Sequence, residues 1–280
     1  MEKLLIVDGS NLLFQMFYGM PARIVGKHGK SIHGTIGFVG ALLKILKITA
    51  PTHAVVLFDG ECRNIRCDLD ELYKANRPNW EEIPEEETPF SQLPDIFASL
   101  DCLKIPYAET TSCETDDWIA SYVRTLGDKM KIVVSSFDSD FFQLITDNVT
   151  VLRYRGENTK LCDVAFVREK FGIEPSQYAD FKCLVGDTAD NVTGIRGIGP
   201  KTAGKLVRDF GSIDGILAHL DEVQPLKIRL ALSDGAERLK LNRRLITLTG
   251  NAEIPYSIEA IRYQESGKTT GQVLSEIGIK

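Results

Sequence analysis

Nine carboxylates stand where this sequence predicts the ends of strands, the start of a helix and a tight loop. They are Asp8, Asp59, Glu114, Asp116, Asp117, Asp138, Asp140, Asp187 and Asp190. Because the carboxyl ends of parallel strands meet at one edge of a sheet, we expect these side chains to converge on one cleft. Divalent cations would relieve the repulsion between so many acids. Mg²⁺ prefers hard oxygen ligands, and two ions roughly 4 Å apart can activate water and stabilise the leaving oxygen in phosphodiester cleavage.

Each of these acids also has an ordinary structural explanation. Asp8 and Asp59 could be strand-end acids or caps, and the acids at 114–117 could form a solvated first helical turn. Asp138 and Asp140 could cap the helix that follows them. The acids of the predicted loop could belong to a turn. Turns and caps do not explain acids at each predicted strand end, so the set as a whole favours a metal site.

A glycine-rich segment precedes a second group of candidate residues. Its sequence is Gly194-Ile-Arg-Gly-Ile-Gly-Pro-Lys-Thr-Ala203, followed by a predicted helix. Glycines let the backbone approach a phosphate closely, and the free N–H groups of a helix start can bind that phosphate. The residues that we expect to contact DNA are Gly197, Gly199, Lys201, Thr202, Lys205 and Arg208. A tight turn between packed helices is the alternative explanation.

Two further basic groups flank the acidic strand ends. The first consists of Arg63, Arg66, Lys74 and Arg77. The second, in a glycine-containing loop, consists of Arg23, Lys27, His28 and Lys30. Solvated surface charge is the usual explanation of such groups, but their position beside the acids favours a role in binding phosphates.

The composition is that of a globular protein with local rather than overall basic character. The chain has 280 residues, 43% of them hydrophobic, and a net charge of −6. An acidic total argues against nucleic acid as a partner, but a metal-dependent nuclease needs many carboxylates. The first residues lack the features of a signal peptide, and no apolar run could span a bilayer, which predicts a cytoplasmic, nucleoid-associated protein. The sequence has no P-loop, and its scattered cysteines indicate reduced thiols rather than a zinc site.

The elements that must position these residues alternate up to about residue 160. Apolar segments at Lys3–Asp8, Thr52–Asp59, Lys131–Ser136 and Val149–Tyr154 read as strands, with helical patterns between them. This alternation predicts a parallel sheet with helices on both faces. Strands are expected to stop near residue 160 and to give way to helices. The predicted domains are a nuclease core at 1–160, with an arch around 74–104, and a helical DNA-binding region at 161–280 that includes the loop 192–204.

Several stretches together resemble a known family, the 5′ nuclease domain of bacterial DNA polymerase I and the stand-alone flap endonucleases of bacteria and phages. The matching stretches are Leu5–Asn11, Phe58–Pro78, Glu114–Asp117, Asp138–Leu144 and Gly186–Ala203. They run in family order and cover most of residues 3–210. The resemblance implies a Rossmann-like (PIN-like) α/β core, a helical arch over the site, and a helix–three-turn–helix element that binds DNA. No polymerase domain follows, so we expect a free-standing relative.

The resemblance also implies roles for individual residues. The first metal would be held by Asp8, Asp59, Glu114 and Asp116; Asp117 and Asp138 would lie between the metals; and Asp140, Asp187 and Asp190 would serve the second. Arg66, Lys74 and Arg77 match the residues that hold and polarise the scissile phosphate. The implied cofactors are two or more Mg²⁺ ions, for which Mn²⁺ can substitute, and K⁺ at the hairpin 192–198.

The function expected from the resemblance is that of a structure-specific 5′ nuclease, both a 5′-3′ exonuclease and a flap endonuclease. The expected partners are DNA with 5′ flaps, nicks or 5′ ends and RNA-primed ends, and the protein is expected to be a monomer that does not bind membranes. The chain departs from the family at Ser112 and Phe137, where glycine is usual, and in the acidic segment 80–88 of the arch. A non-catalytic junction-binding protein and a phosphatase or toxin-like ribonuclease are the alternatives.

Overall fold

The computed structural model describes residues 2–27, 29–60 and 65–280. Of the residues singled out above, His28 and Arg63 lie outside this described part of the chain. All of the proposed metal ligands and DNA contacts lie within it.

A mostly parallel sheet forms the centre of the molecule. The strands are β1 (Lys3–Asp8), β2 (His53–Phe58), β3 (Tyr107–Glu109), β4 (Lys131–Ser135), β5 (Val149–Arg153) and β6 (Lys160–Cys162), with a separate pair β7 (Gly186–Asp187) and β8 (Val192–Thr193). The order in the sheet is β3-β2-β1-β4-β5-β6, and only the edge strand β6 runs antiparallel. From β1 the chain builds the sheet first toward β2 and β3 and then, on the other side of β1, toward β4 and β5. Open parallel sheets bind ligands at the carboxyl ends of the strands where the order reverses in this way.

Helices cover both faces of this sheet and make up most of the C-terminal half. They are α1 (Gly9–Gly19), α2 (His33–Thr49), α3 (Ile65–Leu69), α4 (Leu93–Leu103), α5 (Thr115–Leu126), α6 (Val164–Phe171), α7 (Tyr178–Val185), α8 (Pro200–Phe210), α9 (Ile213–Ala218), α10 (Leu226–Asp234), α11 (Ala236–Ile246) and α12 (Thr270–Glu276). The predicted α/β fold with a helical C-terminal region is confirmed. Within the described residues, no helix has the length and apolar character needed to cross a membrane.

Two hydrophobic clusters lie on opposite faces of the sheet because successive side chains of a strand point in opposite directions. In β1, Leu4 and Ile6 join one cluster, whereas Leu5 and Val7 join the other. The first cluster continues without a break into the C-terminal helices, where residues such as Val207 are fully buried. The sheet and the helical region therefore share one core, and the predicted division at residue 160 stays a prediction.

The expectation that strands end near residue 160 is wrong. Lys160–Cys162 pairs with β5, and the two-residue strands β7 and β8 pair with each other near the predicted DNA-binding loop. Such short strands carry almost no periodicity, so tertiary pairing rather than sequence pattern reveals them. The pattern also left three helices unassigned: α1, α10 and α12.

The segment predicted to form an arch is partly helical. After α3, three short 3₁₀ helices at Trp80–Glu82, Glu85–Glu87 and Pro89–Gln92 lead into α4. Trp80 and Phe90 pack edge-to-face, with ring centroids 5.4 Å apart, and both rings contact Phe14 of α1. Aromatic packing thus holds this segment against the core, beside the edge where β1 and β2 end.

Candidate metal centre and nucleic-acid interface

A cleft of about 390 Å³ opens where β1, β2 and β4 end. Its wall carries five of the predicted metal ligands: Asp8, Asp59, Glu114, Asp116 and Asp138. The first ends β1, the second directly follows β2, and the last follows β4, so the parallel strands bring all three to one edge. Lys74 and Arg77 line the same cleft. The structure therefore brings acids and phosphate-binding cations to one site.

Asp8 is held by hydrogen bonds, and no ion pair among the described residues neutralises its charge. Asp8 accepts the backbone N–H of Asn11 at 3.0 Å, which caps α1, and the hydroxyl of Ser136 at 2.8 Å. Burial and the adjacent charge of Asp59 raise the pKa of the Asp8 carboxyl to about 7. Burial and the charge of Asp138 likewise raise the pKa of Asp116 well above its ordinary value. These shifts measure how strongly the cleft disfavours uncompensated negative charge.

Glu114 begins α5 and is held by three side chains. Arg66 Nη1 donates to Glu114 Oε2 at 3.0 Å, the Tyr73 hydroxyl donates to the same oxygen at 3.2 Å, and Lys74 Nζ contacts Oε1. Asp117 accepts the backbone N–H of Glu114 at 3.2 Å, which completes a capping box. The helix start thereby fixes where the Glu114 carboxylate points.

Arg66 and Asp117 do not line this cleft. Their predicted roles, Arg66 at the scissile phosphate and Asp117 between the metals, stay predictions. Arg66 donates to both oxygens of Asp117, at 2.7 and 2.9 Å, and to the carbonyl of Leu245 at 2.9 Å. Its side chain is only 10% exposed. This bidentate pair occupies the guanidinium donors of Arg66 that a phosphate would need and the carboxylate oxygens of Asp117 that a metal ion would need. Their geometry is that of supports for Glu114.

The remaining three acids form a second group. Asp140, Asp187 and Asp190 each offer one carboxylate oxygen, and these oxygens lie within 4.8 Å of one another. Burial raises the pKa of Asp140 to about 7 even though Lys182 opposes the shift. The ammonium of Lys182, on α7, contacts both Asp140 and Asp187. Sequence reasoning missed Lys182, because a single lysine in a helical pattern gives no signal of burial.

Hydrogen bonds tie the basic residues of the cleft to the loop that carries Asp190. The Tyr73 hydroxyl lies 3.2 Å from a carboxylate oxygen of Asp190 and 3.2 Å from one of Glu114, so its single proton can be donated to either acid group. The Lys74 N–H donates to the Asp190 carbonyl at 3.0 Å, and Arg77 donates to the Asp190 carboxylate at 3.0 Å. Lys74 adopts a left-handed backbone with φ of 57°, a strained conformation that such contacts stabilise.

The predicted DNA-binding hairpin is joined directly to the second acid group. In the β7–β8 pair, Asp187 stands opposite Val192, the first residue of the hairpin. A side chain at Gly194 would collide with the backbone of Val185, with a Cβ only 2.3 Å from its carbonyl carbon, so glycine permits this close packing. The turn and the loop that carries Asp187 and Asp190 therefore form one unit.

The outer surface of the hairpin and of α8 carries the predicted phosphate contacts. Gly197 has φ of 87° and open space around it, and Gly199 precedes the first turn of α8. Lys201, Lys205 and Arg208 are all exposed and follow one another along the same helix. Thr202 is half-buried beside them. This places the helix start and the basic residues on solvent-facing surface, as DNA binding requires; K⁺ at 192–198 stays a prediction.

The donors of both acid groups fit divalent cations that prefer oxygen. They are carboxylates, the ligands of Mg²⁺ and Mn²⁺, without histidine or cysteine among them. Burial raises the pKa of Asp8 and Asp116, so the cleft favours a cation or a proton beside these carboxylates.

An aromatic wall that the sequence analysis did not identify adjoins the cleft acids. Phe14, Trp80 and Phe90 all line the cleft, and Phe14 lies 5.6 Å from Trp80 and 5.7 Å from Phe90 between ring centroids. Aromatic faces beside a phosphate-binding cleft can stack nucleobases in a way that tolerates any sequence. Phe14 lies six residues after Asp8, on helix α1, which the sequence pattern had not identified. Recognising that helix would have placed Phe14 near the acids.

Comparisons with known proteins agree along nearly the whole chain. Residues 3–172 match the family model of the 5′-3′ exonuclease N-terminal resolvase-like domain, and residues 173–269 match that of the 5′-3′ exonuclease C-terminal SAM fold. DNA polymerase I of Bacillus subtilis is 33% identical over 269 residues, which cover 94% of this chain and 30% of that protein. The chain thus spans about a third of the length of the curated relatives that it matches.

Two solved structures show the same fold. A structure of T5 5′-exonuclease with bound divalent zinc ions is 25% identical, has a TM-score of 0.72, and aligns over 88% of this chain and 90% of that one. The catalytic core of Rad2 in complex with a DNA substrate is 16% identical, with a TM-score of 0.60 over 99% of this chain and 90% of that one.

The raised pKa of Asp8 predicts how Mg²⁺ affects stability. Its folded-state pKa of about 7 lies above the ordinary value of 3.8, so the folded protein binds more protons than the unfolded chain between these values. Its contribution to stability is therefore complete below about pH 4 and is lost as pH rises through about 7. We expect millimolar Mg²⁺ to raise the melting temperature by about 5 °C more at pH 8 than at pH 5, relative to EDTA.

Calorimetry or differential scanning fluorimetry at the two pH values measures this difference. Asp8→Asn is the matched variant and should show a smaller dependence on pH and on Mg²⁺. Equal Mg²⁺ stabilisation at both pH values would contradict the assignment of a cation to the cleft.

Proposed function

Because this chain belongs to the 5′-3′ exonuclease family, we propose that it is a structure-specific 5′ nuclease, an exonuclease and flap endonuclease that hydrolyses phosphodiester bonds of branched or nicked DNA. The observation that carries the proposal is the cleft at the sheet edge. Five carboxylates meet there beside Lys74 and Arg77. These two basic residues donate hydrogen bonds to Asp190, in the loop that leads into the exposed hairpin. Acids alone would repel DNA, whereas acids that hold cations would attract and cleave it.

The proposed cofactors are two or more Mg²⁺ ions, for which Mn²⁺ can substitute. When bound, the ions would polarise the scissile phosphate and promote attack by water. Asp8, Asp59, Glu114, Asp116 and Asp138 would hold the first ion, and Asp140, Asp187 and Asp190 the second. In support, T5 5′-exonuclease, at 25% identity, binds divalent zinc ions.

The basic residues of the cleft would act on the substrate directly. Lys74 and Arg77 line the cleft, and their ammonium and guanidinium groups would offset the charge that builds on the phosphoryl oxygens. Arg66 and Asp117 would act indirectly, because their ion pair and the capping box fix Glu114. We therefore assign them as positioning residues instead of catalytic ones.

The substrate would be gripped outside the cleft by the hairpin. Gly197 and Gly199 leave the backbone open to a phosphate group. Contacts to the phosphates of one DNA strand, independent of base sequence, would come from Lys201, Thr202, Lys205 and Arg208. The proposed substrates are DNA with 5′ flaps, nicks or 5′ ends, and RNA-primed ends. A monomeric state and a location at the nucleoid are part of the same proposal.

Replacing Asp116 with Asn separates catalysis from binding. The change removes one buried charge from the cleft wall and leaves the hairpin intact. We expect cleavage of a labelled 5′-flap substrate in Mg²⁺ to fall by on the order of 10²-fold or more, because the cation loses a ligand. Binding of the same flap in Ca²⁺ should stay within a factor of a few. Asp128→Asn, an exposed acid beyond α5, is the control and should cleave normally.

The same assay decides between the nuclease and a non-catalytic junction-binding protein. A binder gains nothing from five acids that face phosphates, which disfavours that alternative. Wild-type protein that binds the flap tightly in Mg²⁺ yet leaves it intact would support the binder and overturn the nuclease.

Lys74→Ala tests the role of this lysine in the transition state. Its ammonium would be worth more as charge develops than in the bound ground state, where cations and Arg77 also hold the phosphate. The single-turnover rate should fall by on the order of 10²-fold, with a much smaller change in the dissociation constant. Lys44→Ala, on the exposed side of α2, is the control. A weaker affinity with an unchanged single-turnover rate would make Lys74 a tether.

Lys201→Ala with Lys205→Ala tests the hairpin. Each lost phosphate contact should make the slope of log K against log salt shallower by about 0.9 for duplex-containing DNA of any sequence. Fluorescence anisotropy across a salt series measures the slope. The matched control is the exposed pair Lys44→Ala with Lys47→Ala. A slope equal to that of wild type would show that the α8 lysines do not contact the backbone of DNA.

A further inference from the structure

Lys182 occupies an unusual position for a lysine. Its side chain is only 7% exposed, and its ammonium contacts the carboxylates of Asp140 and Asp187 together. Lysine is almost never buried unless it is paired. Here it is paired twice, with two of the three acids that the proposed function assigns to the second metal ion.

The two acid groups differ in how far protein cations already neutralise them. In the second group, Lys182 pairs with two acids and Arg77 pairs with Asp190, so two cations face three carboxylates. In the cleft, the described residues provide no ion pair to the following acids: Asp8, Asp59, Asp116 and Asp138. The nearest ammonium there, that of Lys74, pairs with Glu114. A divalent ion therefore meets a strongly negative first group and a nearly balanced second group.

A second divalent ion and the Lys182 ammonium would compete for the same two carboxylates. An ion on Asp140 and Asp187 must coordinate the carboxylates that Lys182 now contacts. Both cations cannot remain there at full charge, because their repulsion in a buried site is large. Binding of the second ion thus requires the ammonium to move away along its flexible side chain.

We propose that Lys182 is a built-in counter-cation of the second metal site, which holds Asp140 and Asp187 in place without a divalent ion and lowers the affinity for that ion. This inference rests on the proposed function, because it takes the second acid group to be a metal site. It explains how the carboxylates of Asp140, Asp187 and Asp190 can lie so close together before an ion binds. It also makes metal binding sequential, with the cleft filled first.

The test counts Mn²⁺ ions by electron paramagnetic resonance of free Mn²⁺, on the full chain without DNA. Wild type should bind one ion more tightly than a second. Lys182→Met should strengthen the second site by about tenfold or more, because a competing charge is removed, and should leave the first site within a factor of two. Lys182→Arg keeps the charge and should leave the second site as weak as in wild type. Lys170→Met, an exposed lysine of α6, is the control.

Loss of folding is tested by a second measurement and a second variant. Without Lys182 the acids repel one another, so Lys182→Met should melt at lower temperature than wild type in EDTA and recover most of the difference in Mn²⁺. Lys182→Gln, a neutral side chain that can still donate hydrogen bonds, should fold more readily and also strengthen the second site.

A second site of unchanged or weaker affinity in both Lys182→Met and Lys182→Gln would overturn the inference. So would the absence of a second bound ion in every variant. The cleavage assay with Asp116→Asn then decides separately whether the nuclease proposal stands, since that assay depends on the first group and not on Lys182.

Discussion

Repulsion between carboxylates crowded at one edge of the sheet is the constraint that shapes the rest of this molecule. Burial and neighbouring acids raise the pKa of Asp8 to about 7, so the folded chain favours a cation or a proton there. The protein offsets this repulsion differently at different acids. It supplies its own cations to Asp140, Asp187 and the cleft acid Glu114, whereas Asp8, on the same cleft wall, has hydrogen bonds alone among the described residues. The unbalanced acids are where an external divalent ion gains most.

The same crowding explains why so much of the chain is tied to one loop. Asp190 receives the Tyr73 hydroxyl, the Arg77 guanidinium and the Lys74 backbone N–H, while Asp187 belongs to the strand pair that begins the hairpin. Few bonds therefore separate the predicted DNA-binding hairpin from the acids. In the proposed function, the place where the hairpin grips duplex DNA would fix where a phosphate meets the cleft.

Much of the fold, and the convergence of the predicted acids on one edge of the sheet, could be predicted from sequence. Apolar runs that end on Asp8 and Asp59 predict buried parallel strands, and parallel strands must deliver their last residues to one edge. The segment 194–203 combines glycines with a helix start. This pattern is local, so it can be recognised without the tertiary structure. By contrast, β7 and β8 are two residues long, and only their pairing across the loop defines them.

The sequence by itself determined which residues are acidic, which strand ends carry them, and where backbone could approach phosphate, because these properties are local. Only the tertiary structure decided which charges pair. In the sequence Arg66, Lys74 and Lys182 are equivalent cations. In the fold, Arg66 is fixed on Asp117, Lys74 reaches the cleft, and Lys182 lies between two buried acids. Electrostatic energy depends on distance and burial, and neither can be read along a chain in which paired charges of the site, such as Arg77 and Asp190, lie 113 residues apart.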